Sequence, residues 1–364
     1  MAEKPSVFDL TPESFAELCR REDLPPFLGK QVLEWTYAKR TIDPALMTNL
    51  SARNRERLAS LVDFGQGVTL AEQVATDGTR KLLLGWPEGA PHAGATALPV
   101  VGQPPSRQTE CVLIPNPDRR TACVSSQVGC PVGCAFCASG LGGLEGNLTT
   151  GRIVEQVWRL SGLPGVGRIS NVVFMGMGEP LANLGQVLPA IRAMHADWGL
   201  GISARKITVS TVGLPAAIRK LHEFELPVTL ALSLHAPNDD LRRKIIPWAE
   251  YASISEILEA CDEWFRKTGR EITLEYILLG GFNDRPEHAR ELAAVARRLR
   301  SNVNLIRYNE VKGVPFSRPA TEDVLEFQKI LREKSVNVHI RASRGRDIAA
   351  ACGQLRHERR GIPA

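Results

Sequence analysis

Residues 169–211 read ISNVVFMGMGEPLANLGQVLPAIRAMHADWGLGISARKITVST. The run opens on an apolar strand through Met175 and turns at Gly176 and Gly178. It continues in the helical period over residues 184–198 and closes on a second strand over 205–211. Two apolar strands separated by one amphipathic helix pair in parallel, because the crossover helix has to cover a face of the sheet.

The unit repeats in both directions. Further candidate strands are TACVSSQ (121–127), PVTLALSLH (227–235), REITLEYILL (270–279) and NVNLIRYN (302–309), with a last one in VNVHIRA (336–342). Helical stretches lie between them, at 150–162, 214–224, 253–269 and 285–301, and a late one at 321–334. Six such units make a partial or full barrel, in which functional side chains belong at the C-terminal strand ends.

Upstream, Thr11-Pro12-Glu13 supplies an N-cap, a proline at the first helical position and an acid in the first turn. Two more helix-period runs follow, so residues 1–65 read as a small helical domain. Residues 66–108 read as a β-hairpin around Asp77-Gly78 followed by a mobile Pro/Gly-rich linker, and residues 109–364 as the barrel core with a cysteine-bearing C-terminal segment.

With 43% hydrophobic and 23% charged residues the 364-residue chain is globular, and its longest apolar runs fall far short of the roughly 20 residues that span a bilayer. No basic, then apolar, leader opens the sequence, so a cytoplasmic protein without a membrane partner is expected. The net charge of +5 says little about nucleic acid, but six arginines (341, 344, 346, 356, 359, 360) crowd the C-terminal region and suit phosphate contacts.

Eight cysteines in a reducing compartment point to metal or chemistry, not a disulfide framework. Cys130, Cys134 and Cys137 follow directly after a candidate strand, where a barrel places its site. Thiolates bind soft metals, and spacings of four and three let one loop wrap a compact centre. A structural zinc site recruits a fourth ligand at finger-like spacing, and ferredoxin runs supply four cysteines. Three thiolates on a 4Fe-4S cluster leave one iron free for a ligand bearing amine and carboxylate groups.

This C-x3-C-x2-C loop, with Phe136 before its last cysteine, resembles that of the radical S-adenosylmethionine (SAM) enzymes, and MGMGEP (175–180) resembles the segment that holds the amino group of SAM in them. The resemblance implies an α/β fold, a partial (β/α)6 TIM-like barrel of the radical SAM type with a small helical N-terminal domain. It implies one 4Fe-4S cluster on Cys130, Cys134 and Cys137, and SAM contacts from Gly178, Glu179, Ser210, Ser233, Leu234, His235 and Asn309.

The wording CVSSQVGCPVGCAFCASG, FMGMGEPLANL, SLHAPND and DIAAACGQL is close to one family, the adenine-C2 RNA methyltransferases called RlmN, which act on 23S rRNA and tRNA. Two further cysteines stand in that family's contexts. By the resemblance, Cys352 takes a methyl group from one SAM, and a second SAM is split to a 5'-deoxyadenosyl radical that removes hydrogen from the methylated thiol. The carbon radical adds to C2 of adenine, and Cys123 resolves the adduct through a transient disulfide with Cys352. Glu110 aligns with the family's proton acceptor. A flavodoxin-type electron donor and a monomer are implied as well.

Cys19, Cys111 and Cys261 have no such match and read as core. Two rival functions stay open: a sibling enzyme methylating C8 of adenine, and a non-catalytic Fe-S or zinc RNA-binding protein.

Overall fold

The structure is a computed structural model and describes residues 4–87 and 107–355. Nearly all of the Pro/Gly-rich linker, and Arg356, Arg359 and Arg360, lie outside the described residues.

The chain begins with three helices, α1 (Pro12–Arg21), α2 (Phe27–Tyr37) and α3 (Ala52–Leu61). The first starts where its residues dictate. Thr11 Oγ1 accepts from the Ser14 N–H, Ser14 returns the bond in a reciprocal cap, and Pro12 fills a position that needs no donor. Phe8, Phe15, Val32 and Leu33 are buried and continuous with the barrel core. Phe8 meets Trp158 at 5.5 Å between ring centroids, and the Trp158 Nε1–H donates to the Thr36 carbonyl at 2.7 Å.

Strands β1 (Val68–Val74), β2 (Arg80–Trp86), β3 (Arg107–Asn116) and β4 (Arg119–Cys123) follow, then β5 (Gln127–Gly129) and β6 (Leu144–Asn147), which form a separate two-stranded sheet among the described residues. From there helix and strand alternate: α4 (Thr150–Ser161), β7 (Asn171–Phe174), α5 (Leu184–His195), β8 (Ile207–Thr211), α6 (Pro215–Leu221), β9 (Thr229–Ser233), α7 (Asp239–Ile245), α8 (Ile254–Thr268), β10 (Ile272–Leu278), α9 (Pro286–Ala296), β11 (Ser301–Arg307), α10 (Thr321–Glu333) and β12 (Val338–Arg341).

Among the described residues the main sheet has ten strands, ordered β1-β2-β3-β4-β7-β8-β9-β10-β11-β12. From β4 onward every neighbour is parallel, as the alternating pattern requires. The expected α/β architecture, a partial parallel barrel with a helical N-terminal region, is therefore the observed one. Two details differ from the sequence reading. The stretch 121–127 is not one strand: β4 stops at Cys123, and the chain turns through Val124–Ser126 before β5. The hairpin is also not set apart from the barrel, because β3, which has no clean alternation to mark it, joins β2 to β4 and makes the hairpin an antiparallel extension of the barrel sheet.

Register positions the interior. Ser233, Glu275, Asn304 and His339 are Cα partners in one row across β9 to β12, and Thr121 faces Asn171 across β4 and β7. Side chains two residues apart on a strand share a face, so a second, higher row carries Ile277, Ile306 and Arg341. No helix among the described residues is long and apolar enough to cross a membrane.

Candidate active site

The turns after β4, β7, β8 and β9 meet the C-terminal segment around one cavity of about 120 Å³. Cys130, Cys134, Cys137, Gly178, Glu179, Ser210, Ser233, His235 and Cys352 all line it. Nine of the residues singled out by sequence thus converge on the barrel face where strand ends point.

The three clustered cysteines sit on a loop held from two sides. The Cys130 N–H donates to the Gly143 carbonyl at 2.9 Å, and the Ala135 N–H to the Ile245 carbonyl at 2.9 Å. Burial raises all three thiols, Cys130 to about 12, and for Cys130 and Cys134 the neighbouring thiols add to it. A metal that binds thiolate removes that penalty along with the protons. Among the described residues no three His, Cys, Asp or Glu side chains close on a single metal ion. Three thiols lining one cavity are the donor set that a polynuclear iron-sulfur cluster takes, one thiolate to an iron.

Glu179 is buried in the same wall. Its Oε2 accepts from the Val212 N–H at 2.9 Å and its Oε1 from the Leu181 N–H at 3.0 Å. Burial pushes its carboxyl up to about 7 against those bonds, so the group is poised to gain from a cationic partner. Gly178 precedes it with φ +102, and a Cβ there would stand 2.7 Å from Gln127 Cβ and 2.8 Å from Ser126 Oγ. Only glycine lets the backbone turn so close to β5.

Ser210 and Ser233, at neighbouring strand ends, bring their hydroxyls to 3.1 Å. His235 has φ +57, and its Nδ1 accepts from the Ile277 N–H at 3.1 Å, which leaves the ring proton on Nε2. Burial, then Arg242, pushes its imidazole down to about 3. Phe136 meets the ring edge-on at 5.1 Å. Leu234 is fully buried and does not line the cavity; its carbonyl accepts from Arg242 Nε at 3.2 Å.

A second, polar cavity of about 460 Å³ runs along the barrel interior beneath the first. Met175, Glu275, Ile306 and Cys352 belong to both. Asn309 lines this one, its Oδ1 accepting from Arg318 at 3.1 Å and its Nδ2 left without a protein partner. Arg119, His339, Arg341 and Arg344 make the cavity basic.

Cys123, at the end of β4, packs with Met177, Ala350 and Leu355. Burial pushes its thiol up to about 12; the Cys352 thiol adds to the rise and Arg341 opposes it. For Cys352 burial again raises the thiol and Arg341 opposes it. The pair expected from the family pattern therefore shares one neighbourhood and one guanidinium, with both sulfurs as free thiols.

Glu110 stands apart. It is buried on β3, lines neither cavity, and its Oε1 lies 2.7 Å from Lys81 Nζ.

Two residues of the site, Arg242 and Glu275, went unread in the sequence, and a third, Arg341, was read for another role. Arg242, on α7, is 1% exposed and donates to the carbonyls of Val212 and Leu234, so it fixes both the backbone that caps Glu179 and the turn that carries His235. Glu275 accepts from Asn304 Nδ2 at 3.1 Å and stands 4.0 Å from Arg341, which also donates to Met175 Sδ at 3.3 Å. Arg341, placed by the sequence among phosphate-binding arginines, instead faces this carboxylate and the two thiols.

Comparison with known proteins agrees with this geometry. Residues 124–293 match the Radical SAM superfamily and residues 6–63 the ribosomal RNA large subunit methyltransferase N-terminal domain. The chain is 43% identical over 340 residues to the probable dual-specificity RNA methyltransferase RlmN of Rhodopirellula baltica, covering 93% of this chain and 87% of that one. It is 41% identical to the dual-specificity RNA methyltransferase RlmN of Dichelobacter nodosus, covering 98% and 95%. A crystal structure of a radical SAM methyltransferase from Sphaerobacter thermophilus superposes with a TM-score of 0.90 at 39% identity, over 97% of this chain and 100% of that one. Membership of the superfamily implies a 4Fe-4S cluster and SAM. The chain belongs to the RlmN family of radical SAM RNA methyltransferases.

Proposed function

We propose that the protein methylates C2 of an adenine in the peptidyl-transferase region of 23S rRNA and of an anticodon-loop adenine in tRNA, with Cys352 as methyl carrier and Cys123 as resolving thiol. The observation that carries this reading is the position of Cys352, at the boundary of a thiol-lined cavity and a basic one, with Cys123 beside it. A thiol so placed faces a methyl donor on one side and a nucleobase on the other.

Cys130, Cys134 and Cys137 would hold the 4Fe-4S cluster, which would supply an electron for radical chemistry on SAM, with two SAM molecules used per turnover. In this reading Glu179 accepts from the SAM ammonium group, and Gly178 lets the backbone approach it. Ser210, Ser233 and the His235 Nε2–H offer polar contacts to the rest of the molecule, with Leu234 setting the backbone between them. The unpartnered Asn309 Nδ2 is a donor on the side of the second cavity.

The RNA base is splayed from its stack into the basic cavity, where Arg119 and Arg344 meet phosphate. Arg341 holds the Cys352 and Cys123 thiols near one positive charge, which favours the thiolate each needs as a nucleophile. Glu110 is assigned the C2 proton on the family pattern alone. A flavodoxin-type protein delivers the electron, and the chain acts as a monomer.

The test is the Cys123→Ala variant, produced anaerobically in cells containing RNA. RNA covalently held on Cys352 is the expected result, and chromatography of the modified nucleoside from wild-type reactions separates C2 from C8 products. Unmodified Cys352 without adduct, in protein that holds its cluster, would overturn the reading.

A further inference from the structure

Cys352 lies in a segment with almost no regular structure of its own. Between the end of β12 at Arg341 and Leu355, the only element is a three-residue turn of helix at Arg346–Ile348. Its path bends through three left-handed residues, Gly345 (φ +63), Ala349 (φ +49) and Gly353 (φ +84). A non-glycine residue in that region costs about 1–2 kcal/mol, so something outside the segment must hold it.

The hairpin turn between β1 and β2 does. The Thr76 N–H donates to Asp347 Oδ2 at 2.9 Å, and the Gly345 N–H to Asp77 Oδ2 at 3.0 Å, contacts 271 and 268 residues apart in sequence. Asp77 Oδ1 meanwhile accepts from the Thr79 N–H at 2.9 Å, which fixes the turn that presents Oδ2. Lys81 Nζ, paired with Glu110, reaches the carbonyl of the strained Ala349 at 3.3 Å. Gly345 is seated so closely that a Cβ would stand 2.8 Å from Thr79 Cγ2. On the far side of the thiol the Gly353 carbonyl accepts from the Ala138 N–H at 2.8 Å, next to the cysteine loop.

We propose that the hairpin turn is a clasp for the catalytic segment, with Asp77 and Lys81 as positioning residues for the Cys352 thiol. Cys352 is thereby suspended between two anchors, the hairpin at residues 345–349 and the cysteine loop at residue 353. Gln354, whose Nε2 donates to the Glu310 carbonyl at 3.0 Å, adds to the second anchor, so removal of the hairpin leaves the sulfur tethered from its C-terminal side only. A displacement of an ångström is enough to slow a group transfer by about a hundredfold. The proposal rests on the reading of Cys352 as methyl carrier.

Two variants loosen the clasp from the segment side and leave the hairpin intact: Asp347→Ala removes one bond, and Gly345→Ala wedges the seat apart. A third, Asp77→Asn, keeps an oxygen for the Gly345 N–H. The full chain, with its cluster reconstituted, is given SAM carrying a trideuterated methyl group, and label on Cys352 is followed by peptide mass. Deuterium uptake is measured in parallel on the peptide spanning residues 345–352, without RNA.

For Asp347→Ala, loading is expected to slow about tenfold, the scale of one charge-assisted bond, and for Gly345→Ala more. Uptake in the 345–352 peptide rises, while iron content, KM for SAM and uptake in the barrel strands stay at wild-type values. Asp77→Asn is expected to load within about threefold of wild type, since the acceptor for the Gly345 N–H stays and only the charge, which Arg344 faces at 4.0 Å, is lost. Wild-type loading and uptake in both segment variants would overturn the proposal, as would uptake rising throughout the barrel. If wild-type protein never takes label on Cys352, the methyl-carrier reading fails, and the uptake measurement still decides whether the turn holds the segment.

Discussion

The two cavities that meet at Cys352 differ in what lines them. The upper wall is thiol, glycine, methionine and aromatic ring, with Glu179 as a carboxyl raised by burial. The lower wall is asparagine, threonine, histidine and arginine, carried on the inward rows of the barrel strands. A parallel barrel of this kind ordinarily fills its interior with packed apolar layers. Here the inward positions Thr121, Asn171, Thr208, Thr273 and Asn304 are polar and leave space. One half of the interior suits a cofactor that must be kept from water, and the other suits a charged polymer that arrives from it.

The largest separation of the two halves should come from the cysteines. Cys134→Ala is expected to abolish the iron-sulfur absorbance and methylation together, while RNA affinity changes less than about twofold, because Cys134 lines the upper cavity and not the basic one. Parallel loss of RNA binding would merge the two cavities into one functional unit.

Glu179→Gln probes the upper wall alone. It should weaken SAM about 10- to 100-fold, the loss of a buried charge-assisted contact. The same residue predicts a pH effect in protein without SAM. Its carboxyl is raised from 4.5 to about 7, so the folded state holds the proton more tightly than the unfolded one. Its contribution to stability is present in full below 4.5 and lost as pH rises through 7, an amount of about 3 kcal/mol. Denaturant unfolding of wild type and Glu179→Gln across that interval should show the slope in the first and its absence in the second. SAM affinity of the wild type should rise over the same interval, since the ammonium group needs the carboxylate.

The lower wall answers to salt. Neutralising Arg119 and Arg344 together should weaken RNA about tenfold and reduce the slope of log affinity against log salt by about 2, with SAM binding unchanged. An unaltered slope would move the RNA path elsewhere. The smallest effect is Ser210→Ala, about two- to fivefold in KM for SAM, since Ser233 remains to fill the hydrogen bond.

Much of this was legible before any coordinates. The spacing of Cys130, Cys134 and Cys137 and the turn at Gly176–Glu179 are local features, and a loop's chemistry can be read where its residues are contiguous. Alternating periods likewise gave β7 through β12 in order. What could not be read is whatever depends on closure. β3 is buried along Thr109–Leu113 and shows no alternation to mark it. Arg242 sits on a short, highly charged helix, DDLRRKI, where an arginine ordinarily faces water, and only the packing of α7 under the turn after β9 reveals that it is buried. Glu275 and Arg341 each occupy one inward position, on β10 and β12 and in successive rows, and the closure that brings them within 4.0 Å is not written in either strand. The contacts of Asp77 with Gly345 and of Thr76 with Asp347 span three quarters of the chain and have no local signal at all.

The His235 ring, held by the Ile277 N–H and buried beside Arg242, has a further consequence for spectroscopy. Its Nε2 proton stays in place and its imidazole stays neutral across the whole range in which histidines ordinarily titrate, so its carbon-bound ring protons should show flat NMR shifts from pH 5 to 8. Electrically the residue behaves as an amide with a fixed dipole. An inflection in rate near neutrality then does not belong to His235, and the one aromatic base lining the upper cavity serves as an internal reference.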